Sequence, residues 1–421
     1  MKIAVIGSGI TGLAAAWYLS KQHQVTLCER GPKIGMDAHS VEVDCGEGNV
    51  HLNAPMRVFF EGYYPTLTQL YNEINVAYEP IEYSGSFSED GGKTYFRYKN
   101  HLLGSLAVPF LTGQSALNPQ AWKIGAEVLR FLRHARKSRR KHAANPDSLS
   151  IQAYLQQNKY SELFAERFLY PAFAGICTCS YENVKAYPAE IILDYLDSDL
   201  TWSRVNRLSH GTHDVAQRLA STASQVRCNF NLQTVKRTTS GVDITDDMGN
   251  TEHYDHVVLA TQANQALKLL ADARADEKSA LSRFPYEQSR VVVHKDRRLA
   301  PALQRDWSPV NFLLSDAHDK PMASIWMNQI YPQLGNESNF FETWNPFHEI
   351  DADKVLIDAQ VERPVVSQDS LQGLKQLSAL HEQQDRRLWF CGSYASRGIP
   401  LLESAVSSAK TVSDRLSLYP A

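Results

Sequence analysis

Gly7-Ser8-Gly9-Ile10-Thr11-Gly12, with Glu29 twenty-two residues beyond Gly7, is the spacing in this chain with the clearest chemical use. Gly7 supplies a tight turn, Gly9 leaves no Cβ between the backbone and a pyrophosphate, and Gly12 allows a helix to pack close on a strand. The amides around Ile10 and Thr11 then face the anion with the positive end of a helix dipole, and Glu29 is placed to accept hydrogen bonds from a ribose diol. Three elements must position these groups: an apolar strand over Lys2 to Ile6, a helix to about Lys21, and a second strand from Gln24 to Glu29. The same segment also reads as a secretory signal, with Lys2, an apolar core and Ala14-Ala15-Ala16. Three glycines in the apolar part and a strand straight afterwards argue against cleavage.

A chain of 421 residues is long enough for two substantial domains, each with its own core. Net charge of -3 with 21% charged and 10% aromatic residues belongs to a soluble globular protein and excludes disorder. Leu102 to Leu111, the longest apolar run after the first helix, contains Gly104 and Pro109 and is too short to span a bilayer. The six cysteines, Cys28, Cys45, Cys177, Cys179, Cys228 and Cys391, lack the spacing of a disulfide framework, so a reducing, cytoplasmic setting is expected. Cys177-Thr178-Cys179 and His210-Gly211-Thr212-His213 are expected to be structural, and no metal site is expected.

Along the chain, a hairpin over Ser84 to Arg97 is expected to turn at Asp90-Gly91-Gly92, with helices following to about Arg204. Trp122 to His142 carries Lys123, Arg130, Arg133, Arg136, Lys137, Arg139, Arg140 and Lys141 against Glu127 alone, leaving the remaining chain at about -10. Ile124, Val128, Phe131, Leu132 and Ala135 fall on one helical face with most cations opposite. Two expectations follow: a surface helix with a solvated basic face, or a helix resting on an anionic membrane beside the entrance for a lipid-like substrate. Nucleic acid is not expected, since no aromatic residues interleave with the cations. Val226 to Val235, a hairpin with Asp247-Met248-Gly249, and the apolar run His256 to Thr261 read as sheet. Further strands are expected at Arg290 to His294, Val310 to Leu314, Met322 to Met327 and Phe340 to Trp344. Arg387 to Ser393 is a strand running into glycine, followed by a helix from about Leu401 to Leu416.

The opening fingerprint, Asp255 to Leu270, and Gly392 with its small-residue helix resemble the FAD-dependent amine oxidase, phytoene desaturase and protoporphyrinogen oxidase superfamily. Tyr64-Pro65-Thr66-Leu67, Ser289 to His294, Trp326-Met327-Asn328 and Trp344-Asn345-Pro346 are similar to its bacterial branch of NAD/FAD-binding proteins. The resemblance implies an α/β fold: a Rossmann-like, parallel-sheet FAD domain from 1-75, 205-265 and 385-421, with a discontinuous α+β substrate domain from 76-204 and 266-384. It implies that Gly7, Gly9, Ile10, Thr11 and Gly12 hold the pyrophosphate and Glu29 the ribose, with Arg30 and Lys33 near the phosphates. Val235 would contact adenine through its backbone, Thr261, Gly392 and Ser393 would line the ribityl chain, and Leu402 would open the helix aimed at the flavin carbonyl end. The chain departs from the pattern at Met36-Asp37, at Asn53-Ala54-Pro55 and at Ser393, where the family carries glycines or an acid.

The function implied is an FAD-dependent, amine oxidase-like oxidoreductase that takes a hydride from a C-H bond of a small or lipid-like substrate. Alternatives are a desaturase or isomerase of a fatty-acyl or isoprenoid lipid, a dinucleotide-binding partner protein without catalysis, and an NAD-only dehydrogenase. Tyr394, Glu403, His39 and Glu61 are candidate acid or base groups. Phe59, Phe60, Tyr63, Tyr64, Tyr170, Trp326, Trp344 and Tyr394 are candidates for an apolar lining.

Overall fold

The computed structural model describes residues 1–45, 48–103, 106–138, 149–198 and 203–418. Among these residues, five strands pair in parallel in the order Gln225–Arg227, Gln24–Cys28, Lys2–Ile6, His256–Leu259, Leu388–Phe390. Parallel sheets are covered on both faces, which is why Lys2–Ile6, Gln24–Cys28, His256–Leu259 and Leu388–Phe390 are mostly apolar and buried, whereas Gln225–Arg227 at one edge is polar and largely exposed. Successive side chains take opposite faces. Ile3 and Val5 pack with helices Ile10–Ser20, Gly211–Ala220 and Leu402–Leu416. Ala4 and Ile6 pack with residues of helices Ala263–Leu269, Ala275–Leu281 and Gln368–His381 and with Val235, Val242 and Ile244.

Helix Ile10–Ser20 is apolar all round and buries nine of its eleven residues, as a helix enclosed on every side must. Its Ala14, Ala15 and Ala16 and the Ala405, Ser408 and Ala409 of helix Leu402–Leu416 are small enough for the two axes to approach closely, so the carboxyl terminus of the chain is packed on its amino terminus.

A second sheet carries eight strands in the order Val355–Pro364, Tyr286–His294, Phe341–Trp344, Met322–Trp326, Val310–Leu314, Gly85–Glu89, Thr94–Leu103, Leu106–Leu111. It is antiparallel except where Val310–Leu314 runs parallel to Gly85–Glu89, joining two distant stretches of chain. A small third sheet, Val58–Phe59, Val205–Leu208 and Tyr78–Ile81, contributes Phe59 and Tyr78 to the core of the first sheet's helices and Val58 and Ile81 to a core shared with the second sheet.

Two expectations change. Val226 to Val235 is not one continuous stretch of sheet, because Asn229 adopts φ 54 and separates Gln225–Arg227, in the parallel sheet, from Leu232–Arg237, which pairs with Val242–Asp246. The Asp247-Met248-Gly249 turn closes the expected hairpin, joining Val242–Asp246 to Thr251–Tyr254. The basic helix, Pro119–Ser138, turns Ile124, Phe131 and Ala135 inward, with Phe131 against Tyr154, Tyr160 and Phe164, so this apolar stripe is core and cannot rest on a membrane. Arg139, Arg140 and Lys141 lie outside the described residues. Among the described residues no helix is long and apolar enough to cross a membrane.

Candidate functional site

The turn after the first strand has the geometry its glycines require. Gly7 sits at φ +97, and a Cβ there would lie 2.9 Å from the Ala260 carbonyl oxygen. At Gly12 a Cβ would lie 1.8 Å from the Gly7 carbonyl oxygen, so the helix can approach the turn only without a side chain there. Gly9 is different: it is exposed, caps helix Ile10–Ser20 with φ -62 and ψ 175, and has no atom within 4 Å of the position a Cβ would take. An anion can therefore reach the backbone at the positive end of the helix.

Glu29 stands beside this mouth. Ser8 donates its amide and hydroxyl to Glu29 Oε2 at 3.0 and 2.5 Å, and the Gly31 amide donates to Oε1 at 2.7 Å. The Gly35 amide donates in turn to Ser8 Oγ at 2.7 Å, and a Cβ on Gly35 would sit 3.2 Å from the Gly9 nitrogen. Glu29 thus staples the loop after its strand onto the glycine turn. A carboxylate offers about four acceptor positions, so three internal bonds leave room for a ribose hydroxyl. Arg30, Lys33 and His39 are exposed on the same loop, and the His39 carbonyl accepts from the Ala54 amide at 2.9 Å.

Strand His256–Leu259 and strand Leu388–Phe390 deliver Thr261 and Gly392 to the same edge. Thr261 Cγ2 is 3.5 Å from the Cβ position of Gly7, and the Thr261 carbonyl oxygen is 3.4 Å from that of Gly392. Ser408 ties this end to the carboxyl-terminal helix, accepting from the Gly392 amide at 3.0 Å and donating to its carbonyl at 2.9 Å. Ser393 is half-buried next to it, and Leu402, also half-buried, opens helix Leu402–Leu416.

Three expected site residues have other duties. Glu403 accepts from the Thr66 and Leu67 amides at 3.1 and 3.0 Å, one at each oxygen, and so caps helix Pro65–Glu73. Tyr394 lies against Phe284 and over Gly392, its hydroxyl has no partner among the described residues, and burial pushes its acidity far down. A phenol sealed in that way has no proton path to a reacting atom. Val235 is fully buried, pairs with Ile244, and gives its carbonyl to the Ala271 amide at 3.0 Å. The backbone adjoining Glu29 is Asn229 and Phe230, whose amides donate to the Gly31 and Glu29 carbonyls at 2.9 and 2.8 Å, which puts the start of the next strand, at Leu232, nearer the ribose acid.

A group of deep polar residues was absent from the sequence reading. Arg57 and Tyr83 are far below the surface yet keep accessible surface of their own, as does Arg363. Residues that are both deep and accessible line a space instead of filling one. Arg363 donates to the Ile176 and Pro400 carbonyls at 3.4 and 3.0 Å. Glu342, with no exposed surface, accepts from the Met56 amide at 2.7 Å and from Trp344 Nε1 at 3.0 Å. Burial raises its carboxyl to about 7 against these bonds and the attraction of Arg57. Burial and then Arg363 lower the basicity of Arg57, while Glu342 opposes them. Phe59, Phe60 and Tyr64 are core, and Tyr63 packs 4.6 Å from Tyr195. Tyr170 is core, Trp326 is half-buried, and Trp344 is committed to Glu342.

Residues 5–74 match the family model of the NAD(P)-binding Rossmann-like domain. No curated protein matches the sequence. Among solved structures, putrescine oxidase bound to putrescine superposes with a TM-score of 0.67 at 15% identity over 99% of each chain. Cyclohexylamine oxidase from Brevibacterium oxydans IH-35A gives 0.66 at 14% identity over 99% of each chain. A CLA-producing fatty acid isomerase from P. acnes gives 0.65 at 15% identity, covering 100% of this chain and 98% of that one. The chain shares the fold of these two oxidases and of the isomerase. Within that fold, the sequence signal for the deep polar residues was available but unused: Arg57 interrupts the apolar run Met56 to Phe60, and Glu342 interrupts Phe340 to Trp344. A charge in a buried strand needs a reason.

Proposed function

We propose that the protein is an FAD-dependent oxidoreductase. The observation that carries this is the open space before Gly9, flanked by Glu29 and by the amides opening helix Ile10–Ser20. Bound FAD would supply a two-electron acceptor for the hydride of a substrate C-H bond. The residues of the chain would hold and enclose it. Gly7, Gly9, Ile10, Thr11 and Gly12 would cradle the diphosphate, Glu29 would take the ribose with Ser8 holding its carboxylate in place, and Arg30 and Lys33 would add positive charge at the rim. Thr261, Gly392 and Ser393 would flank the ribityl chain, and the first amides of helix Leu402–Leu416 would face the electron-rich carbonyl edge of the ring. On this assignment the cofactor domain is 1-75, 205-265 and 385-421, and the substrate domain 76-204 and 266-384.

Purified protein is expected to carry flavin absorbance or to gain it with added FAD, and to bleach anaerobically with a substrate. Protein that neither carries nor takes up flavin would overturn the proposal; nicotinamide reduction by such protein would make it an NAD-only dehydrogenase, and neither activity would leave a partner protein without catalysis.

A lipid-like substrate delivered from an anionic membrane surface is supported by one patch. Leu117 is 87% exposed, Trp122 61% and Leu129 45%, and Trp122 Nε1 donates to the Ala116 carbonyl, which holds the indole beside Leu117. Exposed Lys123, Arg133 and Arg136 lie on the same helix. Aromatic and aliphatic tips among cations suit the headgroup boundary. The protein is expected to sediment with phosphatidylglycerol vesicles at low salt, and Leu117→Ser with Trp122→Ser should abolish that; no sedimentation, or none lost, dismisses membrane delivery.

A further inference from the structure

We propose that Arg397 is a positioning residue for the ring end of the proposed cofactor, and that its clasp with Glu190 and Asp194 lets helix Ala189–Asp197, in the substrate domain, sense whether the cofactor is bound. The proposal rests on the flavoenzyme reading for the identity of the ligand.

The segment Arg397 to Pro400 leads from the last strand of the parallel sheet to helix Leu402–Leu416, so by sequence it belongs with the cofactor domain. Its fastenings come largely from the other side. Arg397 donates to Glu190 at 3.0 Å and to Asp194 at 3.1 Å, two carboxylates one turn apart on helix Ala189–Asp197. Arg363 donates to the Pro400 and Ile176 carbonyls and so ties the segment to helix Tyr170–Cys177. Tyr63, whose hydroxyl accepts from the Ile399 amide at 2.9 Å, packs on Tyr195 of helix Ala189–Asp197. The residue before it, Gly62, meets the end of the same helix: a Cβ there would lie 2.0 Å from the Ser198 carbonyl oxygen, so only glycine lets the two close together. Helix Ala189–Asp197 therefore reaches the strap twice, directly through Arg397 and indirectly through Tyr63.

The Glu190 side chain is 7% exposed and has no other partner among the described residues, whereas Arg397 is 50% exposed. A carboxylate taken out of water needs its counter-charge, so docking the first turn of helix Ala189–Asp197 is costly unless the strap delivers Arg397. Gly398, at φ +123, turns the chain between the clasp and the Ile399 amide, a conformation that a side chain would strain. Helix and strap are thus seated together. The strap runs straight into the amides assigned to the ring, while the groups assigned to the diphosphate and ribose, Gly9 and Glu29, lie on other elements. The ADP half of FAD would then be held from the sheet and the ring half through the strap. Such coupling is reciprocal: the factor by which a docked helix favours FAD over ADP is the factor by which FAD favours docking.

Amide hydrogen exchange in helix Ala189–Asp197, measured on the full chain without nucleotide, with ADP and with FAD, tests this. FAD is expected to slow exchange across the helix by at least about fivefold, and ADP is not. Arg397→Gln should erase that difference, weaken FAD binding by the same factor at unchanged ADP affinity, and shift the visible absorbance of bound flavin; Arg397→Lys should restore part of each. An ion pair with a structural role alone would speed exchange and lower the melting temperature equally in all three states, leaving the FAD-to-ADP ratio and the spectrum unmoved. Arg397→Gln strips Glu190 of its counter-charge, so the double variant with Glu190→Gln, which leaves no buried charge unpaired, supplies the same readouts where the single one does not fold. Equal protection by ADP and FAD, protection that survives Arg397→Gln, or the structural pattern would overturn the proposal. Wild-type protein that takes up no FAD sinks the flavoenzyme reading and this role with it, whereas FAD uptake that leaves the helix unprotected sinks the clasp alone.

Discussion

Substituting Gly9 by alanine separates a cofactor cradle from a turn that is merely tight. Nothing lies within 4 Å of the added methyl, and φ -62 with ψ 175 is open to any residue. Two small stability terms then oppose one another: alanine restricts the unfolded chain, which favours folding by about 0.4 to 1 kcal/mol, and it is a poorer helix N-cap than glycine by a similar amount. The melting temperature should stay within a few degrees of wild type. The methyl would, however, occupy the approach to the backbone that a diphosphate needs, and losing close contact with even part of that charge should weaken FAD binding by about 2 to 3 kcal/mol, or roughly a hundredfold. Gly12→Ala makes the opposite prediction. Its Cβ would stand 1.8 Å from the Gly7 carbonyl oxygen, so helix and turn must move apart at a cost of about 1 to 3 kcal/mol or more, and stability falls with cofactor affinity. Apoprotein titrated with FAD, beside calorimetric melting of both variants, measures the two quantities separately. Unchanged FAD affinity in Gly9→Ala would refute the placement of the diphosphate, whatever the fold resembles.

Glu403→Ala should lower stability by about 1 to 2 kcal/mol by uncapping helix Pro65–Glu73, seen in denaturant melts, and pH profiles of turnover should not lose a limb, since no base has been removed. Tyr394→Phe deletes a hydroxyl that has no partner among the described residues and should leave stability unchanged or raise it by up to about 1 kcal/mol, with turnover intact. Buried His294, His256 and His381 are depressed, chiefly by burial, to about 4, 4 and 3, so the stability they contribute is present above the ordinary imidazole value of 6.5 and is lost as pH falls through those values. Glu342 runs the other way: raised by burial from 4.5 to about 7, its contribution is full below 4.5 and is lost as pH rises through 7. Melting temperatures of Glu342→Gln and wild type between pH 5 and 8 should therefore converge toward the acid side and separate toward pH 8, with the variant the more stable there.

The opening unit was legible because each of its glycines acts on neighbours a few residues away: the turn, the helix and the second strand are all inside thirty residues. Parallel strands such as His256–Leu259 were legible for the same reason, being continuous apolar runs that must be covered on both faces. What could not be read were duties assigned by partners far along the chain. Glu403 reads as an acid near a flavin until Thr66 and Leu67, more than three hundred residues earlier, claim its oxygens. Val235 reads as an open strand residue until Ala271, thirty-six residues later, takes up its carbonyl. Arg57 and Glu342 are charges inside apolar runs, and their meaning depends on a contact spanning 286 residues, from Met56 to Glu342.

The departures from the family pattern bear unequally on the two ends of the proposed cofactor. Gly35 is kept where a Cβ would press on the Gly9 nitrogen, whereas Met36 turns into the core, so the adjoining position did not need to remain glycine. At the other end the strap of Gly398, Ile399 and Pro400 is fastened by Tyr63, whose hydroxyl accepts from the Ile399 amide and lies 2.8 Å from the Cβ position of Gly398, and by Arg363 at Pro400. Those two side chains set where helix Leu402–Leu416 begins. Tyr63→Phe removes the acceptor from a buried amide at about 1 to 3 kcal/mol. Because the lost bond lies directly before the helix assigned to the ring, flavin should also wash out faster on dialysis while the Gly9 end keeps its affinity for ADP. Equal loss of ADP and FAD affinity would place the damage in the whole sheet, and unchanged melting and retention would show that Tyr63 does not fasten the strap.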